Sequence, residues 1–508
     1  MFRFALIKIS LNNNYILNFN HMKKLFVTLL LISSFLKAQD NSLLKGDFWK
    51  NNPTIERVKT EITNGNNPAQ ANAGNHDVVS MAINNSADLE TIKFLIDQPG
   101  NSVTKNTHDG RQYIHWAANK GNVELVNYLI KKGSDLHRTD DKGATPLAFA
   151  AGNGQTNPEI YKAFFTAGIN PKQKYSNGET ILLMAIGTDK DLKLTEYLTT
   201  KGLSLKDVDT SGRTAFDYAA KNGNIDLLKS IISKGIKPTN AALILASKGT
   251  RSTSTHLETY KYLIEEIKLS PTAKGENGET ILHNIINKKD QKEIVNYFIE
   301  KGVDVNTADK DGNNVLMITA ASTNLDAVQQ IYAKTKDINA LNTKGETALF
   351  TAVQKGSPEI VSFLIEKGAK TNLTAKEGNL GVYLVNSYKK DKANEFVEKL
   401  TILTKNGLDL TTPQIDGSTL YHNAVAKNDV DLLKSLAELN IDVNAQNNDQ
   451  MTALHRAALV AKDDSVLKYL VSIGAKKELK TEFDETAFDL ASENETLTEN
   501  KISIDFLK

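Results

Sequence analysis

Asp140-Asp141-Lys142-Gly143-Ala144-Thr145-Pro146-Leu147-Ala148-Phe149-Ala150-Ala151 decides how this chain of 508 residues folds. Residues 140–143 have the composition of a tight turn, with an acidic side chain to bond nearby backbone and a glycine for the conformation other residues resist. Leu147 supplies core volume, and the small pair Ala150 and Ala151 lets neighbouring helices approach closely. Working outward, the glycine recurs: Gly110, Gly143, Gly178 and Gly212 stand 33, 35 and 34 residues apart, and Gly278 comes 66 further on. That last step is two periods with one degenerate unit between. Gly312, Gly345 and Gly378 resume the rhythm before a 39-residue step to Gly417. A fixed period of this length marks a repeat architecture.

Each glycine is followed by a related stretch. Thr145 to Ala151 is the fullest of them, residues 214–220, 280–286, 347–353 and 419–425 share the same plan, and Thr452-Ala453-Leu454-His455-Arg456-Ala457-Ala458 is nearly as full. Leu182, Phe216, Leu282, Leu316, Leu349 and Leu454 repeat the core position of Leu147. A second apolar stripe comes next at helical spacing, as in Val126, Leu129 and Ile130, or Val295, Phe298 and Ile299. Gly133, Gly168, Gly202, Gly235, Gly302, Gly368, Gly407 and Gly474 then end the unit, where a left-handed helix cap is expected. These units resemble the ankyrin repeat, whose consensus is Thr-Pro-Leu-His-x-Ala-Ala. The resemblance implies an all-α solenoid of about 12 stacked helix-turn-helix repeats with short β-hairpin loops, plus divergent capping units at both ends. No single unit can bury its own apolar face, so the units must stack.

The organisation expected is an N-terminal extension and signal peptide over residues 1–38 and a divergent capping unit over 39–74. Ankyrin repeats come next over 75–235, then a degenerate repeat with an inserted polar loop around Arg251 over 236–274, repeats over 275–480, and a C-terminal capping unit and tail over 481–508. The signal reading starts at Met22, with Lys23 and Lys24, a 12-residue apolar run and a small residue, Ala38, before Gln39. It predicts a periplasmic or secreted protein. Residues 1–38 hold Arg3, Lys8, Lys23, Lys24 and Lys37 and no acids, so residues 39–508 carry 56 basic and 60 acidic side chains, a net charge of −4. Such a balance points away from nucleic acid as a partner, and no later stretch reads as a membrane insertion of the mature chain. With no cysteine, disulfides and thiolate metal sites are excluded.

Chemistry is sparse. His115, His283, His422 and His455 fall at the fourth position of the repeat signature, where in ankyrin repeats the side chain bonds hairpin backbone; stacked units hold such positions too far apart to share a metal. Trp116 and Trp49 read as packing residues. No phosphate-cradling loop, His-Glu-x-x-His helix or nucleophile elbow is present, so neither an enzyme, a metal nor a cofactor is expected.

Function is therefore expected of a surface. Ankyrin proteins generally hold partners on hairpin tips and on the exposed face of first helices. Carried over residue by residue, the contact positions are His108, Asp109, Arg111, Lys142, Tyr175, Asn177, Glu179, Arg213, Lys344 and Glu346, with Arg111, Lys142 and Arg213 as leading anchors beside Tyr175. These positions vary from unit to unit while the buried ones repeat. The reading is a non-catalytic protein-protein interaction scaffold or regulator acting in the cell envelope through a concave surface, its partner an exported enzyme or envelope complex. The alternative is a self-associating structural envelope component, which the apolar residues Ile502, Ile504, Phe506 and Leu507 leave open.

Overall fold

A polar side chain opens most first helices by accepting a backbone N–H that the helix leaves unpaired. The Thr145 hydroxyl takes the Ala148 N–H (3.4 Å), Thr180 that of Leu183 (3.3 Å), the Asn314 amide oxygen that of Met317 (3.0 Å) and Thr452 that of His455 (3.4 Å). The eight glycines expected to close second helices all have positive φ. Between these two signals lie the helix pairs. The computed structural model describes residues 41–249 and 255–508; the expected signal segment and the Arg251 loop lie outside the described residues.

The chain divides into two compact units, one through Ala215 and one from Phe216. The first holds α1 (Gly46–Lys50), α2 (Ile55–Thr63), α3 (Val78–Asn84), α4 (Leu89–Ile96), α5 (Tyr113–Lys120), α6 (Val123–Lys131), α7 (Pro146–Gly152), α8 (Pro158–Thr166), α9 (Ile181–Ala185) and α10 (Lys193–Thr200). Odd-numbered helices are the first of each pair and even-numbered helices the second. The opening pair α1–α2 is the divergent one, and it buries Leu43, Trp49 and Val58; the Trp49 indole N–H donates to the Leu43 carbonyl (2.8 Å).

The second unit runs from α11 (Ala215–Ala220, all but its first residue), α12 (Ile225–Ser233), α13 (Ala241–Lys248) and α14 (Leu257–Lys261) to α15 (Ile281–Ile285), α16 (Lys292–Glu300), α17 (Val315–Ala320) and α18 (Leu325–Tyr332). It continues through α19 (Ala348–Lys355), α20 (Pro358–Glu366), α21 (Leu380–Ser387), α22 (Ala393–Lys405), α23 (Leu420–Ala424), α24 (Val430–Ala437), α25 (Ala453–Val460), α26 (Ser465–Ser472), α27 (Ala487–Glu493) and α28 (Glu495–Glu499). From α3 to α26 this makes twelve pairs, flanked by one divergent pair at each end. The architecture is an all-α solenoid.

The core positions fall as the repeat requires. Leu147, Leu182, Phe216, Leu282, Leu316, Leu349 and Leu454 are all buried, as are Ala150 and Ala151. Burying a side chain of this size contributes on the order of 1.5–3 kcal/mol, repeated along the chain. The long step before Gly417 is filled by the 13-residue α22 and by Tyr383, Tyr388 and Phe396, all buried. The degenerate pair α13–α14 has no hairpin: Thr239 instead places its N–H (2.9 Å) and hydroxyl (2.8 Å) on the buried Asp217 carboxylate, and α14 runs into a π-helical turn at Tyr262–Glu266.

Hairpins with strand character are rare: among the described residues a ladder forms between β1 (Thr374–Ala375) and β2 (Gly378–Asn379), with an isolated bridge from Ala71 to Asp77. Elsewhere the arms are too short, and a pair of backbone bonds within the turn closes them, as from the Asp140 N–H to the Ala144 carbonyl (3.0 Å) and from the Gly143 N–H to the Asp140 carbonyl (2.9 Å). The last unit, within the expected C-terminal capping segment, is a complete helix pair. It has the second helix α28, with Leu497 buried and the Asn494 amide donating to the Ala458 (2.9 Å) and Ala461 (3.0 Å) carbonyls of the preceding unit. The tail folds over it, burying Leu507, and Lys477 Nζ donates to the Phe506 carbonyl (3.1 Å).

Candidate protein interface

The hairpin tips are built from their first residue. Asp140 Oδ1 accepts the Lys142 (3.0 Å) and Ala144 (2.9 Å) N–H groups, and Asn342 Oδ1 takes those of Lys344 (2.9 Å) and Glu346 (2.9 Å). A short acceptor side chain at this place folds the turn around itself, which is why Asp and Asn recur there. Successive tips are then joined backbone to backbone. In the first compact unit Asp141 donates to Asp109 (2.9 Å) and Thr210 to Asn177 (2.9 Å). In the second, Lys310 donates to Asn277 (2.7 Å), Thr343 to Asp311 (2.9 Å), Lys376 to Lys344 (2.9 Å), Asn448 to Asp416 (2.9 Å) and Glu482 to Asp449 (3.2 Å). Side chains on these tips therefore stand on a fixed frame rather than on independent loops.

Four of the expected contact residues come together. Asp109 Oδ2 meets Arg111 Nη1 (3.1 Å) and Lys142 Nζ (2.7 Å), and Arg111 Nε meets Asp140 Oδ2 (2.9 Å). The Lys142 hydrogen bond is the main reason the Asp109 carboxyl lies below its ordinary range. His108 Nδ1 reaches the Gly74 carbonyl (2.7 Å), and its ring stacks on His76 with centroids 4.4 Å apart. Arg111 is not the surface anchor expected. It is 4% exposed, its guanidinium lies 4.2 Å from the Phe149 ring centroid and 5.1 Å from that of Trp116, and both neighbouring carboxylates are its partners. Lys142, with 64% of its side chain exposed, is available.

The others are spread out. Tyr175 is half-buried, shares a hydrogen bond with Thr145, and burial pushes its hydroxyl up to about 12. Asn177 is exposed at a left-handed turn position, Glu179 is half-buried, and Arg213 folds onto Asp209 of its own hairpin. In the second compact unit Lys344 is exposed, whereas Glu346 is held inside by the Tyr383 hydroxyl (2.6 Å) and the Asn342 amide (2.7 Å).

Two tip residues escaped sequence reasoning. Ile415 is 90% exposed and Phe483 76% exposed, on hairpins separated by the one at Asn447 and tied to it by the Asn448 and Glu482 bonds. The signal was available: turn tips here are otherwise polar, so a large apolar residue is out of place unless something covers it.

The four histidines work as clamps. Each ring accepts a backbone N–H at Nδ1, from Gln112 (3.2 Å), Thr280 (3.2 Å), Thr419 (3.0 Å) and Thr452 (3.0 Å) respectively. Nε2 then donates to a carbonyl of the next unit, at Ala144 (3.3 Å), Asn313 (3.0 Å), Met451 (2.9 Å) and Leu479 (2.9 Å). Both ring nitrogens are thus used by backbone. Burial lowers all four below the ordinary histidine range, His115 to about 4.

The family profile described as ankyrin repeats (3 copies) matches residues 78–175, 155–242, 243–342 and 287–375, and that for ankyrin repeats (many copies) matches 421–471. These matches span well over half of the sequence. The chain belongs to the ankyrin-repeat family. Its repeats are similar to those of the ankyrin repeat and KH domain-containing protein mask-1 of Caenorhabditis elegans, 26% identical over 271 residues, covering 52% of this chain and 10% of that protein. They are similar also to human transient receptor potential cation channel subfamily A member 1, 23% identical over 410 residues, 71% of this chain and 36% of the channel. This ankyrin chain thus spans a minor part of the length of both relatives. Among solved structures, the ankyrin repeat domain of Bcl-3, a member of the IkappaB protein family, is matched at 22% identity and a TM-score of 0.35, over 44% of this chain and all of that domain. No helix among the described residues is long and apolar enough to cross a membrane.

Proposed function

We propose that this ankyrin chain is a non-catalytic scaffold that holds another protein on its hairpin tips, and that it acts in the periplasm or outside the cell after export on the segment from Met22 to Ala38. The observation that carries the binding reading is the backbone bonding between successive tips. It fixes exposed, non-repeating side chains such as Lys142, Asn177, Lys344, Ile415 and Phe483 in place, so little ordering entropy opposes association. Burial of Arg111 moves the anchor role to these residues. The net charge of −4 after residue 38 and the long run of repeats on both sides of the degenerate pair support a protein partner, here an exported enzyme or envelope complex.

Pull-down from envelope extract with the intact chain tests this, repeated with Lys142→Glu plus Lys344→Glu and with Ile415→Ser plus Phe483→Ser. Exposed positions leave the fold intact, and loss of a hot-spot pair is expected to cut partner recovery by roughly tenfold or more. Equal recovery with both variants would remove the tips from consideration. Export is checked separately by N-terminal sequencing of the protein in the periplasmic fraction, where Gln39 is the expected first residue.

A further inference from the structure

In several repeats a large side chain closes the furrow between one second helix and the next, whereas Ser230 and Ile402 hold the same place before Gly235 and Gly407. Tyr128, Tyr197, Tyr297 and Phe363 each stand five residues before a helix-closing glycine, at Gly133, Gly202, Gly302 and Gly368. Tyr128 of α6 reaches back to α4, donating its hydroxyl to Asp97 (3.2 Å), with the Lys93 ammonium 5.5 Å from its ring centroid. Tyr197 of α10 stacks on Phe165 of α8 with centroids 6.4 Å apart. In the second compact unit Tyr297 of α16 donates to Glu265 (3.0 Å), and Phe363 of α20 meets Tyr332 of α18 edge-on at 5.5 Å. In every case the lysine just before the glycine, Lys132, Lys201, Lys301 or Lys367, lies 5.2 to 5.5 Å from the same ring.

The matching residue before Gly168 is Ala163. With a methyl group where the flanking furrows hold a tyrosine, the furrow between α6 and α8 stays open as a groove of about 350 Å³. Apolar atoms of Val123, Ile130 and Ala163 line it, together with polar Asn127 and the exposed Glu159–Lys162 pair (3.0 Å). That volume falls at the small end of the range for ligand-sized sites, about 300–1,000 Å³.

We propose that this groove receives the aromatic side chain of a partner protein, a tyrosine or phenylalanine entering from solvent to take the place that Tyr128 and Tyr197 hold in the furrows on either side. The neighbours show what such a furrow accepts: a ring laid between two helices with an ammonium group over its face. Lys162 lies along the groove, and its partner Glu159 is as exposed as it is, so the ammonium is free to turn onto an incoming ring. Aromatic side chains are the usual anchors of protein interfaces because they bring large contact area at low entropy cost. The site uses second helices alone and stands or falls independently of the hairpin tips.

The test is methyl NMR of the full chain, following Val123, Ile130 and Ala163 during titration with p-cresol, N-acetyl-tyrosinamide and, as an aliphatic control, n-pentanol. Saturable shifts at those methyls are expected with both aromatic probes in the millimolar range, with n-pentanol about tenfold weaker. Ala163→Tyr is expected to fill the furrow, hold or raise the thermal midpoint and abolish the shifts at Val123 and Ile130; Ala163→Leu serves the same purpose should the tyrosine variant fail to fold. Absence of saturable shifts, equal binding of n-pentanol, or undiminished shifts in the filled variants would overturn the proposal. So would binding of p-cresol without N-acetyl-tyrosinamide, since a side chain must enter while attached to its backbone.

Discussion

Arg111 and Lys142 are both basic, both belong to hairpins and both touch Asp109, yet their surroundings give them opposite roles. Arg111 lies against Phe149 and Trp116 with Asp140 on its other side, so its removal would leave the buried Asp140 carboxylate without its cation, while Asp109 keeps Lys142. Arg111→Ala is expected to cost about 3–5 kcal/mol of stability, as for other broken buried pairs, whereas Lys142→Ala should stay within about 1 kcal/mol. Urea unfolding of the two variants checks this, and equal midpoints would refute it. The burial of Arg111 was not legible in the sequence, because its partners sit 29 residues away at Asp140 and 38 away at Phe149 and a turn position alone suggests exposure. The core leucines and the alanine pair were legible, since their size and spacing repeat. Ile415 and Ala163 carried a readable signal of another kind: one is apolar at a tip, and the other is small where Tyr128 and Tyr197 of the adjoining repeats are large.

Among elements, the hairpin depends on how closely consecutive tips approach. A Cβ built on Gly312 would stand 2.8 Å from the Asn342 Cα and 2.8 Å from the Thr343 backbone nitrogen, the group that donates to Asp311. Gly302, at the end of α16, also has positive φ but meets nothing within 4 Å. Gly302→Ala is therefore expected to cost only the left-handed penalty, about 1–2 kcal/mol. Gly312→Ala adds a backbone clash and should speed amide exchange at Thr343 selectively. Equal exchange at Thr343 in both variants would show that the tips are not coupled as described. The helix pairs themselves were readable from apolar spacing and glycine punctuation, and twelve pairs lie where the period placed them. Strand character in the hairpins was not readable, because it depends on arm length, which the turn composition does not set.

Across the whole molecule, the histidine clamps make stability depend on pH. Each ring accepts an N–H at Nδ1, so the neutral form is the one that fits, and burial holds all four below the unfolded value of about 6.5. Below that value the unfolded chain takes up protons that the folded chain refuses. The contribution is full above about pH 6.5 and is lost as pH falls toward each folded value, which for His115 is about 4, at up to about 1.4 kcal/mol per pH unit per ring. Denaturation midpoints measured at pH 7.5 and 5.5 should fall, and less so in a His283→Gln, His455→Gln variant; an unchanged difference would assign the pH dependence elsewhere. The unfolding itself is expected in more than one step, because each repeat contacts mainly its neighbours.

The clamps also have a consequence for descent. The acceptor of each ring is a main-chain carbonyl, and it belongs to alanine, asparagine, methionine and leucine in the four cases. A histidine of this kind places no demand on the identity of its acceptor residue in the next module of the stack. A module that carries the clamp can be copied or moved without rewriting this bond, provided whole periods are exchanged. The joint has a polarity, since in all four cases the ring reaches toward the C-terminal neighbour, and an in-frame copy keeps that polarity, while the tips and furrows of each copy remain free to drift toward a new occupant.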